Sequence, residues 1–153
     1  MQQRGKKGNT DDLLAASFKE LLCKAPMEKI TIKDITDKAG VIRPTFYNHF
    51  ADKYALLEYI VWHDLLEPIK PLLLNDMIQE GLTLLFSSMQ NERAFYERAV
   101  CIDGQNSFES IARSEVSKLL LEIIDQRNRA KATNTHGLIV RLLQNTTRTR
   151  CAM

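Results

Sequence analysis

Arg43, Thr45, Tyr47, Asn48 and His49 crowd into one short run, RPTFYNH. They offer a guanidinium, two hydroxyls, a carboxamide and an imidazole. These groups hydrogen-bond to phosphate oxygens and to the edges of bases. Arg43 suits a phosphate or a guanine, the Thr45 and Tyr47 hydroxyls suit phosphates or base edges, and His49 suits a phosphate. Lys53 follows at the start of another helical run, where its charge and the unpaired first-turn amides can clamp a phosphate. Thr31 and Lys33 stand at a helix start on the other side and are expected to do the same. With Pro44, which is acceptable in a first helical turn, the candidate DNA contacts are Thr31, Lys33, Arg43, Pro44, Thr45, Tyr47, Asn48, His49 and Lys53.

Such a cluster has to be held on short, well-anchored helices. Leu14, Phe18, Leu21 and Leu22 recur at helical spacing after Thr10, Asp11 and Asp12, which suit the cap and first turn of a helix. Thr31 and Asp34 form a capping-box pattern for a second helix with Ile32, Ile35 and Ala39 inward. Gly40 can take the positive φ that ends it. Phe46 and Phe50, four apart, anchor a third helix and leave Thr45, Tyr47, Asn48 and His49 at its surface. Asp52 caps a fourth helix with Leu56, Leu57, Ile60, Val61 and Leu65 buried, and Pro68 and Pro71 are expected to close it. Two short helices across a Gly-containing turn make a helix-turn-helix, whose second helix enters the major groove.

The rest of the chain reads as a second helical body. Residues 72 to 90 are mostly apolar, a short helix follows near 92–101, and a long one runs from about 107 to 130 with Phe108, Ile111, Val116, Leu119, Leu120 and Ile123 inward. Residues 137 to 145 suit one more short helix. If a ligand cavity exists, Met77, Leu85, Met89, Phe95, Tyr96 and Phe108 are its expected lining. The domain plan is a flexible basic arm (1–9), a DNA-binding domain (10–53), a connecting helix (54–70), an effector and dimerisation body (71–146) and a tail (147–153).

Charge divides along the chain. Residues 1–50 hold nine Lys or Arg against six Asp or Glu, residues 51–126 six against thirteen, and residues 127–153 six against none. A basic front before an acidic middle fits a polyanion partner at one end. No run approaches the ~20 apolar residues of a membrane span, and no signal peptide is read, so the expected location is the cytoplasm. The three cysteines, Cys23, Cys101 and Cys151, are far apart and lack a CxxC. The histidines lack metal-ligand spacing. With no nucleophile, phosphate-loop or paired-carboxylate motif, neither an enzyme nor a cofactor is expected.

The run TIKDITDKAGVIRPTFYNHFADKYALLEYIV, above all Thr45 to Phe50 followed by Asp52-Lys53 and Leu56-Leu57, resembles the DNA-binding region of the TetR/AcrR family of transcriptional regulators. FKELLCK together with TFYNHFADKYALL is similar to the subgroup of the dihydroxyacetone kinase operon activator. The resemblance covers roughly residues 10–66. It implies an all-α homodimer, a palindromic double-stranded DNA operator, an unknown small-molecule or protein effector in the C-terminal body, and repression as the commoner mode. It also implies DNA contact at Thr31, Thr45, Tyr47, His49 and Lys53. Two departures stand out. Ile42 lies where the family often has a capping Ser or Thr, a loss of about 1 kcal/mol. The chain is also shorter than family members that end in two long interface helices. A protein-interaction module, with DNA contact secondary, is the alternative.

Overall fold

The computed structural model describes residues 4–148 and the side chains of residues 10–129. Every regular element among them is helical. The chain runs through α1 (Arg4–Leu22), a short 3₁₀ turn (Met27–Lys29), α2 (Ile32–Ala39), α3 (Arg43–His49), α4 (Lys53–Ile60), a π turn (Val61–Leu66), α5 (Glu67–Leu74), α6 (Ile78–Asn91), α7 (Arg93–Ala99) and α8 (Phe108–Arg148). The predicted all-α architecture and its helix-turn-helix are both present.

The head packs around side chains whose spacing predicted burial. Leu14 and Phe18 of α1, Ile35 of α2, Phe46 of α3 and Leu56, Leu57 and Ile60 of α4 have no exposed surface. Thr31 caps α2 in a complete capping box: its Oγ1 accepts from the Asp34 amide at 3.2 Å while Asp34 Oδ2 accepts from the Thr31 amide at 2.8 Å. Gly40 closes α2 in the left-handed region at φ 69°, as a short turn into α3 requires. Ile42 caps nothing; with the N-terminal amides of α3 unserved by a side chain, the helix is held by Phe46 beneath it.

Several boundaries differ from the expectations. The expected arm at 1–9 and the start at Thr10 are corrected, because α1 already begins at Arg4; residues 1–3 lie outside the described residues. A helix once nucleated extends at one hydrogen bond per residue fixed, which carries it through the weak formers Gly5 and Gly8. Thr10, Asp11 and Asp12 are therefore interior. Pro68 and Pro71 do not close the fourth helix, which continues through the π turn to Leu74. In the π turn the Glu67 amide donates to Trp62 O, five residues back. This wider turn accommodates a proline that can donate no bond and whose ring crowds the preceding turn. The chain breaks instead at Asn75–Met77, where Asp76 takes φ 60°, a conformation Asp tolerates better than most.

The body's core continues the head's through Leu65, Leu66 and Ile69, which meet Phe95, Ile102, Phe108, Ile111, Leu119 and Ile123. The C-terminal helix is a single 41-residue element, about 62 Å long, where separate helices near 107–130 and 137–145 were expected. Nothing in residues 131–136 forbids helix, and a lone Gly137 costs about 1 kcal/mol without stopping one. Lys70 pairs with Glu122 at 2.5 Å, and Arg127 donates to Leu73 O at 2.6 Å and to Asp76 at 2.5 Å, fixing α8 to α5. The tail's residues 149–153 lie outside the described residues. No helix among the described residues is long and apolar enough to cross a membrane.

Thr31→Ala should lower stability by about 1 kcal/mol, read as a lower urea midpoint at an unchanged slope. Hydrogen bonds from the Thr31 hydroxyl and amide hold the Asp34 carboxyl below its ordinary value. The stability it lends is present above that ordinary value and fades as pH falls through the lowered one. The difference between wild type and Thr31→Ala should therefore shrink in acid.

Candidate nucleic-acid interface

The outward face of α3 presents Arg43, Pro44, Tyr47 and Asn48, all exposed, beside Ile42, which is 70% exposed. Phe46, 0% exposed, and Phe50 lie on the opposite side and meet at 5.9 Å between ring centroids. Arg43 and Tyr47 stand one turn apart; the guanidinium donates to the Tyr47 hydroxyl at 3.1 Å and lies 5.5 Å from its ring centre. This stacking holds the long arginine upright on the helix while leaving donors free of protein partners, a geometry suited to a phosphate or a guanine edge. Thr45 is half-buried at the edge of the same face.

Three predicted contacts are occupied inside the protein. Lys53 donates to Met27 O at 2.7 Å and to Ile30 O at 3.0 Å. It ties the 3₁₀ turn and the entry of α2 to α4, so two of its three ammonium donors are engaged within the protein. Lys53 stands at the start of α4, as its sequence position implies; the inward course of its side chain depends on the path through α2 and α3 that brings Met27, 26 residues earlier, beneath it. His49 gives its Nδ1 proton to Asp11 Oδ1 at 2.5 Å, leaving Nε2 as its available ring nitrogen. The Thr31 hydroxyl donates to Asp34 Oδ2 at 2.6 Å and is spent on the cap, so the α2 terminus offers its first-turn amides and the exposed Lys33 instead. Asp11 was missed as a positioning residue for α3. No short-range pattern announces a pair 38 residues apart.

The predicted ligand-lining residues do not converge. Leu85 lines an apolar groove of about 420 Å³ between α5, α6 and α8, with Leu66, Ile69, Leu82, Leu119 and Ile123. Met89 and Tyr96 border a separate depression with Phe86 and Arg93. Phe95 faces a polar cleft beside α1, Phe108 borders a shallow surface with Val116, and Met77 is exposed at the start of α6. Amphipathic periodicity marked these side chains as inward but not which inside they share. Among the described residues no group of three His, Cys, Asp or Glu stands close enough to hold a metal ion.

The face on α3 and its supports coincide with a known pattern. The sequence model described as "Bacterial regulatory proteins, tetR family" matches residues 13–60, from the middle of α1 to the end of α4. The chain is also 30% identical over 127 residues to the HTH-type dhaKLM operon transcriptional activator DhaS of Lactococcus lactis subsp. lactis (strain IL1403). That alignment covers 79% of this chain and 64% of the relative, so the chain spans under two thirds of the relative's length. The first four helices of this chain thus carry the helix-turn-helix domain of the TetR family of bacterial transcriptional regulators.

Proposed function

We propose that the chain is a sequence-specific regulator of transcription that binds a palindromic operator as a homodimer and works in the cytoplasm. The observation that carries the reading is the α3 face, where Arg43, Tyr47 and Asn48 are exposed over a fully buried Phe46. Thr45, the Nε2 edge of His49, Pro44 and the α2 end with Lys33 flank that face. Dimerisation is supported by apolar side chains left outside the core. Val116, Leu120, Leu121 and Ile124 of α8 are 40–67% exposed, and Leu82 and Phe86 of α6 are 46% and 64% exposed. Val116 and Leu120 were expected to be inward within one chain; their exposure favours a second chain as their cover. Two heads held in this way would present two α3 helices about 34–36 Å apart, one turn of DNA.

The groove between α5, α6 and α8, whose rim includes Leu82, Val116, Leu120 and Ile124 of that same apolar face, is the effector site this reading favours, with a second chain closing over it. Its lining is aliphatic except for Arg127 at one end. An apolar guest with one acidic or carbonyl group fits that chemistry. Because Leu82, Val116 and Leu120 of its lining are exposed at the rim, a protein segment is a second candidate effector. As to the sign of control, the relative's name, a transcriptional activator, favours activation over the repression expected from family habit.

Selection of duplexes from a random library should return a two-fold symmetric site, bound with a steep negative dependence on salt. Arg43→Ala should weaken that complex about 5- to 150-fold, corresponding to ~1–3 kcal/mol, while leaving the thermal midpoint near wild type because the guanidinium's contact lies on the surface. Unchanged affinity would remove α3 as the reading helix. A reporter driven by the selected site gives the sign: expression that falls when the regulator is deleted marks an activator.

A further inference from the structure

Between α1, the π turn and the α6–α7 junction lies a cleft of about 530 Å³, and at its floor one ammonium holds three elements together. Lys19 of α1 pairs with Asp64 of the π turn and with Glu92 at the junction, 2.6 Å from Glu92 Oε2 and 2.8 Å from Oε1. Its side chain is 18% exposed. The solvent-shielded Asp64 Oδ2 meets it as an ion pair. Burial by itself lowers the ammonium's pKa, but pairing with Asp64 and Glu92 outweighs it and the net shift is upward. The same two carboxylates, after burial itself, push the enclosed Tyr96 phenol upward.

The ammonium is one end of a continuous chain of contacts. Asp64 Oδ1 accepts from His63 Nδ1 at 2.9 Å. His63 stacks on Tyr59, with centroids 5.3 Å apart and planes 14° from parallel. Tyr59 donates to Asp12 Oδ1 at 3.1 Å, and its ring meets Phe50 at 5.4 Å. Asp11, the neighbour of Asp12, holds His49 of α3. His63–Asp64 and Tyr59–His63 run along the continuous helix of α4 and the π turn, Tyr59–Asp12 crosses to α1 and Asp11–His49 crosses to α3, so the series runs from the body to the reading helix.

We propose that Lys19, Asp64 and Glu92 are an ionic latch that fixes the head on the body, and that displacement of Glu92 frees the α1–α4 unit to reorient α3. The geometry favours this role because Glu92 is the body's sole contribution to the triad and sits at the break between α6 and α7. A change in α6, which also borders the aliphatic groove, reaches it directly. Lys19 is a positioning residue, since it acts on α3 through Asp64, Tyr59 and Asp11. The inference rests on the DNA-binding reading for its consequence, though not for its mechanics.

The test compares full-length wild type with Glu92→Gln, Lys19→Met, the double variant and the conservative Lys19→Arg. Amide exchange is read by peptide, together with emission from Trp62, the only tryptophan, which lies in the π turn. Glu92→Gln and Lys19→Met should each speed exchange in residues 43–60, shift Trp62 emission and change affinity for the selected duplex about fivefold. The double variant should do no more than either single one, and Lys19→Arg should stay near wild type. If the duplex is bound but affinity and exchange are unchanged in Glu92→Gln, the latch is overturned while DNA reading stands. If wild type selects no duplex, DNA reading fails. The latch then stands on accelerated exchange confined to 43–60, and falls if exchange is unchanged or rises uniformly over the chain. If Lys19→Met does not fold, Glu92→Gln decides the matter, because Glu92 is largely at the surface.

Discussion

Phe46→Ala should abolish the reading head. The ring has no exposed surface and meets Tyr47 edge-on at 5.7 Å and Phe50 at 5.9 Å. It anchors a helix only seven residues long that lacks a side-chain cap at Ile42. An isolated helix of that length does not form in water, so α3 exists by virtue of this packing. Truncation of a buried Phe costs about 3–5 kcal/mol, a large part of the 5–15 kcal/mol typical of a whole domain. The expected result is loss of the cooperative thermal transition of the head and loss of affinity for every duplex. A variant that melts like wild type would show that α3 is held by something other than its buried face.

The second large effect concerns Lys53, for which position in sequence and position in space point to opposite roles. As a phosphate clamp, its loss would weaken DNA binding and leave stability alone. In the structure its ammonium serves Met27 O and Ile30 O, and charge-assisted bonds of this kind contribute about 1.5–3 kcal/mol each before allowance for partial exposure. Lys53→Ala should therefore lower stability by about 2–3 kcal/mol, with DNA affinity falling as a consequence of a displaced α2 entry. Chemical denaturation beside duplex titration separates the two roles. Wild-type stability with lost affinity would return Lys53 to the DNA surface.

These two residues show what local pattern can and cannot tell. The inward course of Phe46 and Phe50 follows from spacing alone, because a helix of known period has only one buried side. The capping box at Thr31 and Asp34 and the turn at Gly40 were equally legible, since each depends on residues within four positions of one another. Of Thr45, Tyr47, Asn48 and His49, all expected at the surface of α3, Tyr47 and Asn48 are exposed while Thr45 and His49 are half-buried. What escaped were pairings set by the tertiary path: Lys53 with Met27, His49 with Asp11, Tyr59 with Asp12, Lys19 with Glu92. Asp11 and Asp12 looked like first-turn charges of a helix, and the helix began earlier, which released both carboxylates for partners on α3 and α4. In the body, the six proposed lining residues were read as facing inward, but helix periodicity does not say which helices share a space, and they divided among several surfaces.

The π turn at Val61–Leu66 has a further consequence for how the two halves are joined. An α-helix advances about 100° per residue, and a π turn absorbs one extra residue in the same rise. The stretch from Lys53 to Leu74 is therefore one rod carrying two angular settings, one for Leu56, Leu57 and Ile60 beneath the head and another for Leu66 and Ile69 beneath the body. Loss or gain of a single residue in this stretch would keep it helical and keep each half's own stripe intact, yet turn one half about the rod's axis by more than a quarter circle. The length of six residues is thus the dial that sets the bearing of the DNA-facing surface against everything behind it.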